Sequence, residues 1–83
     1  MSNYAYLDNA GILHLHPLER EAAKHGKYVE TSLDMDESGF PIIEGEGVVY
    51  YHGKGTAYTR GNETDGRSIA VPSELKQLAN RLE

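Results

Sequence analysis

The chain contains no cysteine. This excludes disulfide frameworks, thiolate nucleophiles, CxxC redox chemistry and every zinc site that needs sulfur ligands. Any metal would have to rest on histidine and carboxylate side chains. Positive charge is also in short supply: 8 Lys and Arg stand against 13 Asp and Glu, for a formal net charge of -5 and a pI near 5.3. Without a basic patch there is no electrostatic footprint for a phosphate backbone or an anionic bilayer, so direct nucleic-acid binding is not expected. No segment approaches the ~18 consecutive apolar residues of a membrane span. The opening Met1-Ser-Asn-Tyr-Ala-Tyr6 lacks the basic and apolar regions of a signal peptide. The expectation is a cytoplasmic protein with no membrane association.

Large core-forming residues are few. Apolar residues make up 39% of the 83 positions, yet six of these are Tyr and many are Ala, which leaves Leu, Ile, Val and the single Phe40. A chain of this length is expected to form one domain, residues 1–83, with little stability to spare. In this size range association often supplies the remainder, so self-association as a homodimer is a natural expectation.

What is present begins with period-two alternation. Tyr4-Ala-Tyr-Leu-Asp8 and Ile12-Leu-His-Leu-His16 flank Asn9-Ala10-Gly11, which predicts a β-hairpin. The alternation turns Leu7, Leu13 and Leu15 toward the core and leaves Tyr4, Tyr6, Ile12, His14 and His16 on an opposite, partly wet face. Pro17 lacks a ladder N–H and opens a short helix, Pro17–His25, with acidic residues early, Lys24 and His25 late and Gly26 past its end. Leu18 and Ala22 give that helix its apolar stripe.

Further strands are predicted at Lys27–Leu33, closed by the polar cluster Asp34–Gly39, and at Val48–His52 and Thr56–Arg60 around Gly53-Lys54-Gly55. A turn cluster over residues 61–66 leads into a last strand, Arg67–Val71. Asp8-Asn-Ala-Gly-Ile12 and Asp36-Glu-Ser-Gly-Phe40 are alike, which reads as shared turn chemistry and not duplication. The C-terminal helix has Ser73 as its N-cap after Pro72, Glu74 in the first turn, and Leu75, Leu78, Ala79 and Leu82 on one face. Leu82-Glu83 also matches the scar that precedes many C-terminal histidine tags, which leaves open whether the natural chain ends at Arg81. The order of elements predicts an α+β fold: a small, mostly antiparallel sheet, ββα and then further strands, with both helices on one sheet face.

Four patterns bear on function. His14 and His16 lie two apart on a strand, share a face, and form the best candidate metal pair; the plainer reading is two half-exposed histidines on a hairpin. Asp34–Gly39 begins like an EF-hand loop, but Pro41 stands at the eighth position and Gly45 at the twelfth, where a bidentate Glu is required, which favours a solvated acidic turn. His52-Gly-Lys-Gly-Thr56 holds only a fragment of a phosphate loop and reads as a hairpin turn. Asn62-Glu-Thr64 is a glycosylation sequon with no consequence in an unsecreted chain.

Tyrosine is the one enrichment: all six fall on predicted strands, and Tyr4, Tyr6, Tyr50 and Tyr58 are candidate interface residues, since tyrosine offers a large rigid surface with a polar tip. High β-propensity alone explains them equally well. No nucleophile-elbow or cofactor motif is present. The sequence therefore suggests a non-enzymatic protein-protein interaction module without a cofactor. A His14/His16 metal- or small-ligand-binding module and an acidic mimic of nucleic acid from a mobile element are the alternatives.

Overall fold

Alternating apolar and aromatic residues build a first sheet from β1 (Asn3–Leu7), β2 (Leu13–His16) and β3 (Tyr28–Thr31), in the order β2-β1-β3, with both pairings antiparallel. The computed structural model describes residues 2–52, 55–59 and 67–83. In the register of this sheet Ala5 lies opposite Leu15 and Val29, while Tyr6 lies opposite His14 and Tyr28. One face therefore collects Ala5, Leu13, Leu15 and Val29, all buried, with Leu7 packed partly against them. The other face collects Tyr4, Tyr6, His14, His16 and Tyr28. This is the division the alternation predicts.

A second antiparallel sheet follows: β4 (Asp34–Met35), β5 (Pro41–Ile43), β6 (Gly47–Tyr51), β7 (Ala57–Thr59) and β8 (Arg67–Ile69), joined in chain order. Two sheets thus stand where one was expected. The short helix after β2 delivers β3 to the far side of β1, so the later strands build on one another and not on β2. The expected turn over Asp34–Gly39 is shorter than predicted, because Asp34 and Met35 pair with Ile42 and Pro41 and only the following residues turn. A backbone hydrogen bond links the sheets, from the Leu15 N–H to the Gly39 carbonyl (2.6 Å). Gly39 is required there twice over. Its φ is +87°, and a Cβ would stand 2.8 Å from the Leu15 carbonyl oxygen.

The helices differ from expectation in their ends and in their placement. Helix α1 (Glu19–Ala23) is shorter than Pro17–His25: Leu18, at its N-cap, is extended (φ -106°, ψ 122°), with its N–H bonded to the His16 ring (3.0 Å). Leu18 is 46% exposed, so the expected stripe reduces to Ala22, which is fully buried. Helix α2 (Ser73–Leu82) buries Leu75, Leu78, Ala79 and Leu82, as the spacing predicts. Its N-cap position belongs to extended Pro72 and not to Ser73, whose hydroxyl donates to Glu74 instead (3.4 Å). Leu82 is part of the core.

The two helices do not share a sheet face. α2 packs across β1 and β3 on the apolar side. α1 packs on β1 and β2 from the aromatic side: Ala22 is buried outside the main core, the His25 ring lies on Tyr6, and the Tyr28 hydroxyl donates to Glu19 (2.8 Å). The stripe of α2 suits an apolar face, whereas α1 has one alanine and otherwise a carboxylate and a ring to offer, which suit tyrosines. A single core cluster joins both sheets to α2, with Ile43, Val49, Tyr51 and Ala57 contributed by the second sheet. Among the described residues no helix is long and apolar enough to cross a membrane.

A candidate aromatic interaction face

Two tight turns position the outer side chains, and they are built alike. In the first, the Asp8 carboxylate accepts from the amides of Ala10 (2.8 Å) and Ile12 (2.9 Å), the Asp8 N–H donates to the Ile12 carbonyl (3.0 Å), and the Gly11 N–H donates to the Asp8 carbonyl (2.9 Å). In the second, Asp36 accepts from Ser38 (2.9 Å) and Phe40 (2.8 Å), with Asp36 bonded to Phe40 (2.9 Å) and Gly39 to Asp36 (3.1 Å) in the same backbone pattern. Gly11 and Gly39 both take the left-handed conformation, at φ +84° and +87°, which a fourth-position glycine supplies without strain. The likeness read from the sequence is thus a likeness of turn chemistry. Further along, the His52 N–H donates to the Thr56 carbonyl (2.9 Å).

The second oxygen of Asp8 reaches the His14 ring, with Oδ2 2.8 Å from Nε2. Burial raises the Asp8 carboxyl, but hydrogen bonds from the Ile12 amide, from His14 and from the Ala10 amide outweigh it and hold the group below its ordinary carboxylate value. The ionised carboxylate can only accept, so the His14 Nε2 donates and the ring plane is set.

That ring is one rung of a ladder. His25 stacks on Tyr6 (centroids 4.1 Å, 11° between planes), Tyr6 on His14 (5.5 Å, 22°), and His14 leans on Phe40 (5.0 Å, 38°). Phe40 meets Tyr50 edge-on (4.3 Å, 74°). The row crosses the seam between the sheets on the side away from α2. Tyr50 lies opposite Tyr58 on β7, and Tyr58 meets His52 edge-on (5.3 Å). Ile42 and Val48, paired across β5 and β6, continue the half-exposed outer surface of the second sheet. Burial, and then the Asp8 charge, push the Tyr6 phenol up, so it stays a neutral hydrogen-bonding group.

Of the expected interface residues, Tyr6 and Tyr50 belong to the ladder and Tyr58 extends it, at 36% exposure. Tyr4 stands apart, edge-on to Tyr28 (6.3 Å). Hydrogen bonding to the Glu19 carboxylate, and then its charge, raise the Tyr28 phenol. His14 and His16 do share a face, but their ring nitrogens turn to different partners, Asp8 for one and the Leu18 amide for the other. Among the described residues no three His, Asp or Glu side chains gather in a way that would hold a metal ion. In the loop that begins like a calcium site, the Asp36 oxygen serves its own turn amides. Gly53 and Lys54 of the phosphate-loop fragment, the end of the predicted strand at Arg60 and the sequon at Asn62–Thr64 lie outside the described residues.

Phe40 and His25 were not foreseen as part of this face. A signal for Phe40 does exist: it is the residue after a turn glycine, where Ile12 stands in the first turn. In comparisons with known proteins, the chain matches no family model, no curated protein and no solved structure.

Proposed function

We propose that this chain is a non-enzymatic protein-protein interaction module that binds through the ladder and the outer surface of the five-stranded sheet. The observation that supports this most is the unbroken row His25, Tyr6, His14, Phe40 and Tyr50, running from one sheet to the other. Rings that are half-exposed and held by stacking and by the Asp8 bond have little rotamer entropy left to lose on binding. Aromatic residues are also what protein interfaces gather, while their cores shed charge. A cytoplasmic protein partner fits an acidic chain of this kind, and neither nucleic acid nor a bilayer does. The metal-binding alternative at His14 and His16 has less support, because among the described residues no third His, Asp or Glu side chain gathers with them.

Photo-crosslinking from the source cell tests the proposal. A benzophenone side chain at Tyr58 should capture a discrete protein partner. The same group at exposed Glu44 should not, and Phe40→Ala should abolish the Tyr58 product while the protein stays folded. Equal products from both positions, or a Tyr58 product indifferent to Phe40→Ala, would refute a binding role for this face.

A further inference from the structure

We propose that the open edge of β3 receives a second copy of this chain, giving a two-fold dimer with a continuous six-stranded sheet. Among the described residues β3 is paired on one side only, with β1, so its far edge is a template for another strand. Beside that edge lies a groove of about 340 Å³, bordered by residues 30–33 on one side and by Glu74, Gln77, Leu78 and Arg81 of α2 on the other. These four helix positions follow the i, i+3, i+4, i+7 spacing of a single stripe. The stripe adjoins the one that packs on the sheet and shares Leu78 with it.

The occupant is identified by symmetry and charge. In a two-fold interface a residue that meets a second residue of the partner is met by it in return. Two α2 helices running antiparallel about a dyad between Gln77 and Leu78 set Glu74 against the partner subunit's Arg81, and Arg81 against the partner subunit's Glu74. The flank is therefore complementary to itself. The strands satisfy the same dyad. Pairing about Thr31, the last residue of β3, sets Val29 opposite the partner's Leu33 and Glu30 opposite the partner's Ser32, with Ser32 and Leu33 lying just beyond the strand, whereas pairing about Glu30 would oppose two carboxylates.

Spacing agrees as well. α2 lies over β1 and β3, and its mate would lie over the matching strands of the other copy. Two strand spacings of about 4.8 Å then separate the helices, which falls within the roughly 8–10 Å of packed helices. One rotation thus joins the strand edges and brings the helix flanks into contact. This edge is distinct from the ladder, so dimerisation and partner binding are separable.

Sedimentation of the full chain tests the dimer. The wild type is expected to dimerise, and Glu74→Arg or Arg81→Glu alone, each placing two like-charged contacts in the interface, should raise Kd by about tenfold or more. The double variant Glu74→Arg/Arg81→Glu should return Kd to within about threefold of wild type. Both positions are exposed, and thermal melts of each variant separate lost dimer from lost fold. In a chain without cysteine, Thr31→Cys should form a disulfide-linked dimer on oxidation. Phe40→Ala should leave the dimer intact. A monomer up to about 1 mM, a dimer indifferent to Glu74→Arg, or a double variant no tighter than the singles would each overturn the proposal.

Discussion

The two sheets are made by the same local rules and covered differently. In the three-stranded sheet α2 packs on the apolar side and α1 on the aromatic side, so its tyrosines are partly covered from within the chain: Tyr6 lies against His25, and Tyr28 is bonded to Glu19. In the five-stranded sheet the inner side meets the core, and among the described residues Ile42, Val48, Tyr50 and Tyr58 stand at least partly open on the outer side. The same amino acid thus does two jobs. What distinguishes them is a five-residue helix carrying a single buried alanine.

Breaking the shared core should have the largest effect, because it underlies both sheets. Leu13 is fully buried, and Leu13→Ala should cost about 2–5 kcal/mol in denaturant unfolding through lost transfer energy and the cavity left behind. Tyr58→Ala on the open side should cost less than about 1 kcal/mol. Equal costs would mean that the outer surface of the second sheet is covered after all.

The turns offer a sharper contrast. Gly11→Ala and Gly39→Ala both force a side chain into the left-handed region, at about 1–2 kcal/mol. A Cβ at Gly11 meets its nearest neighbour, the His52 carbonyl oxygen, at 3.4 Å, whereas at Gly39 it collides with the Leu15 carbonyl oxygen at 2.8 Å. Gly39→Ala should therefore be the more damaging by about a further 1–3 kcal/mol of overpacking. Its damage should reach amide exchange in both sheets, while that of Gly11→Ala should stay near the first hairpin.

Acid provides a smaller perturbation confined to the first turn. The folded protein holds the Asp8 carboxyl below its unfolded value, so its contribution is present above the unfolded pKa of about 4 and is lost as pH falls through the folded pKa. Stability measured across that window should decline on the acid side, and Asp8→Asn should flatten this part of the decline. The smallest effect is expected at Gln77, exposed on α2, where Gln77→Ala should change stability by under about 0.5 kcal/mol.

Much of the first sheet is legible in the sequence, because its strands are long enough for period two to register and both its faces are chemically distinct. The same holds for α2, whose four apolar positions admit one orientation. The second sheet is harder to read. Asp34–Met35 is a two-residue strand inside an acidic cluster, and Pro41–Ile43 is three apolar residues with no alternation to mark their faces. The placement of α1 was not legible either, since Leu18 offers an apolar side chain that the fold leaves exposed. Tyr6, Tyr50 and Tyr58 could be picked out as surface aromatics, but the ladder could not. His25 follows a helix and Phe40 follows a turn, and both meet their neighbours only because the chain has already been brought back across the sheet.

The hydrogen bond from Leu15 to Gly39 is an addressable pin across the seam, beside the core that the two sheets share. Any molecule laid along the ladder must grip both leaves at once, through Tyr6 and His14 on one and Phe40 and Tyr50 on the other, and so acts as a splint across the pin. The exchange rate of one amide proton, that of Leu15, then becomes a gauge of how far the leaves part and of whether something is holding them shut.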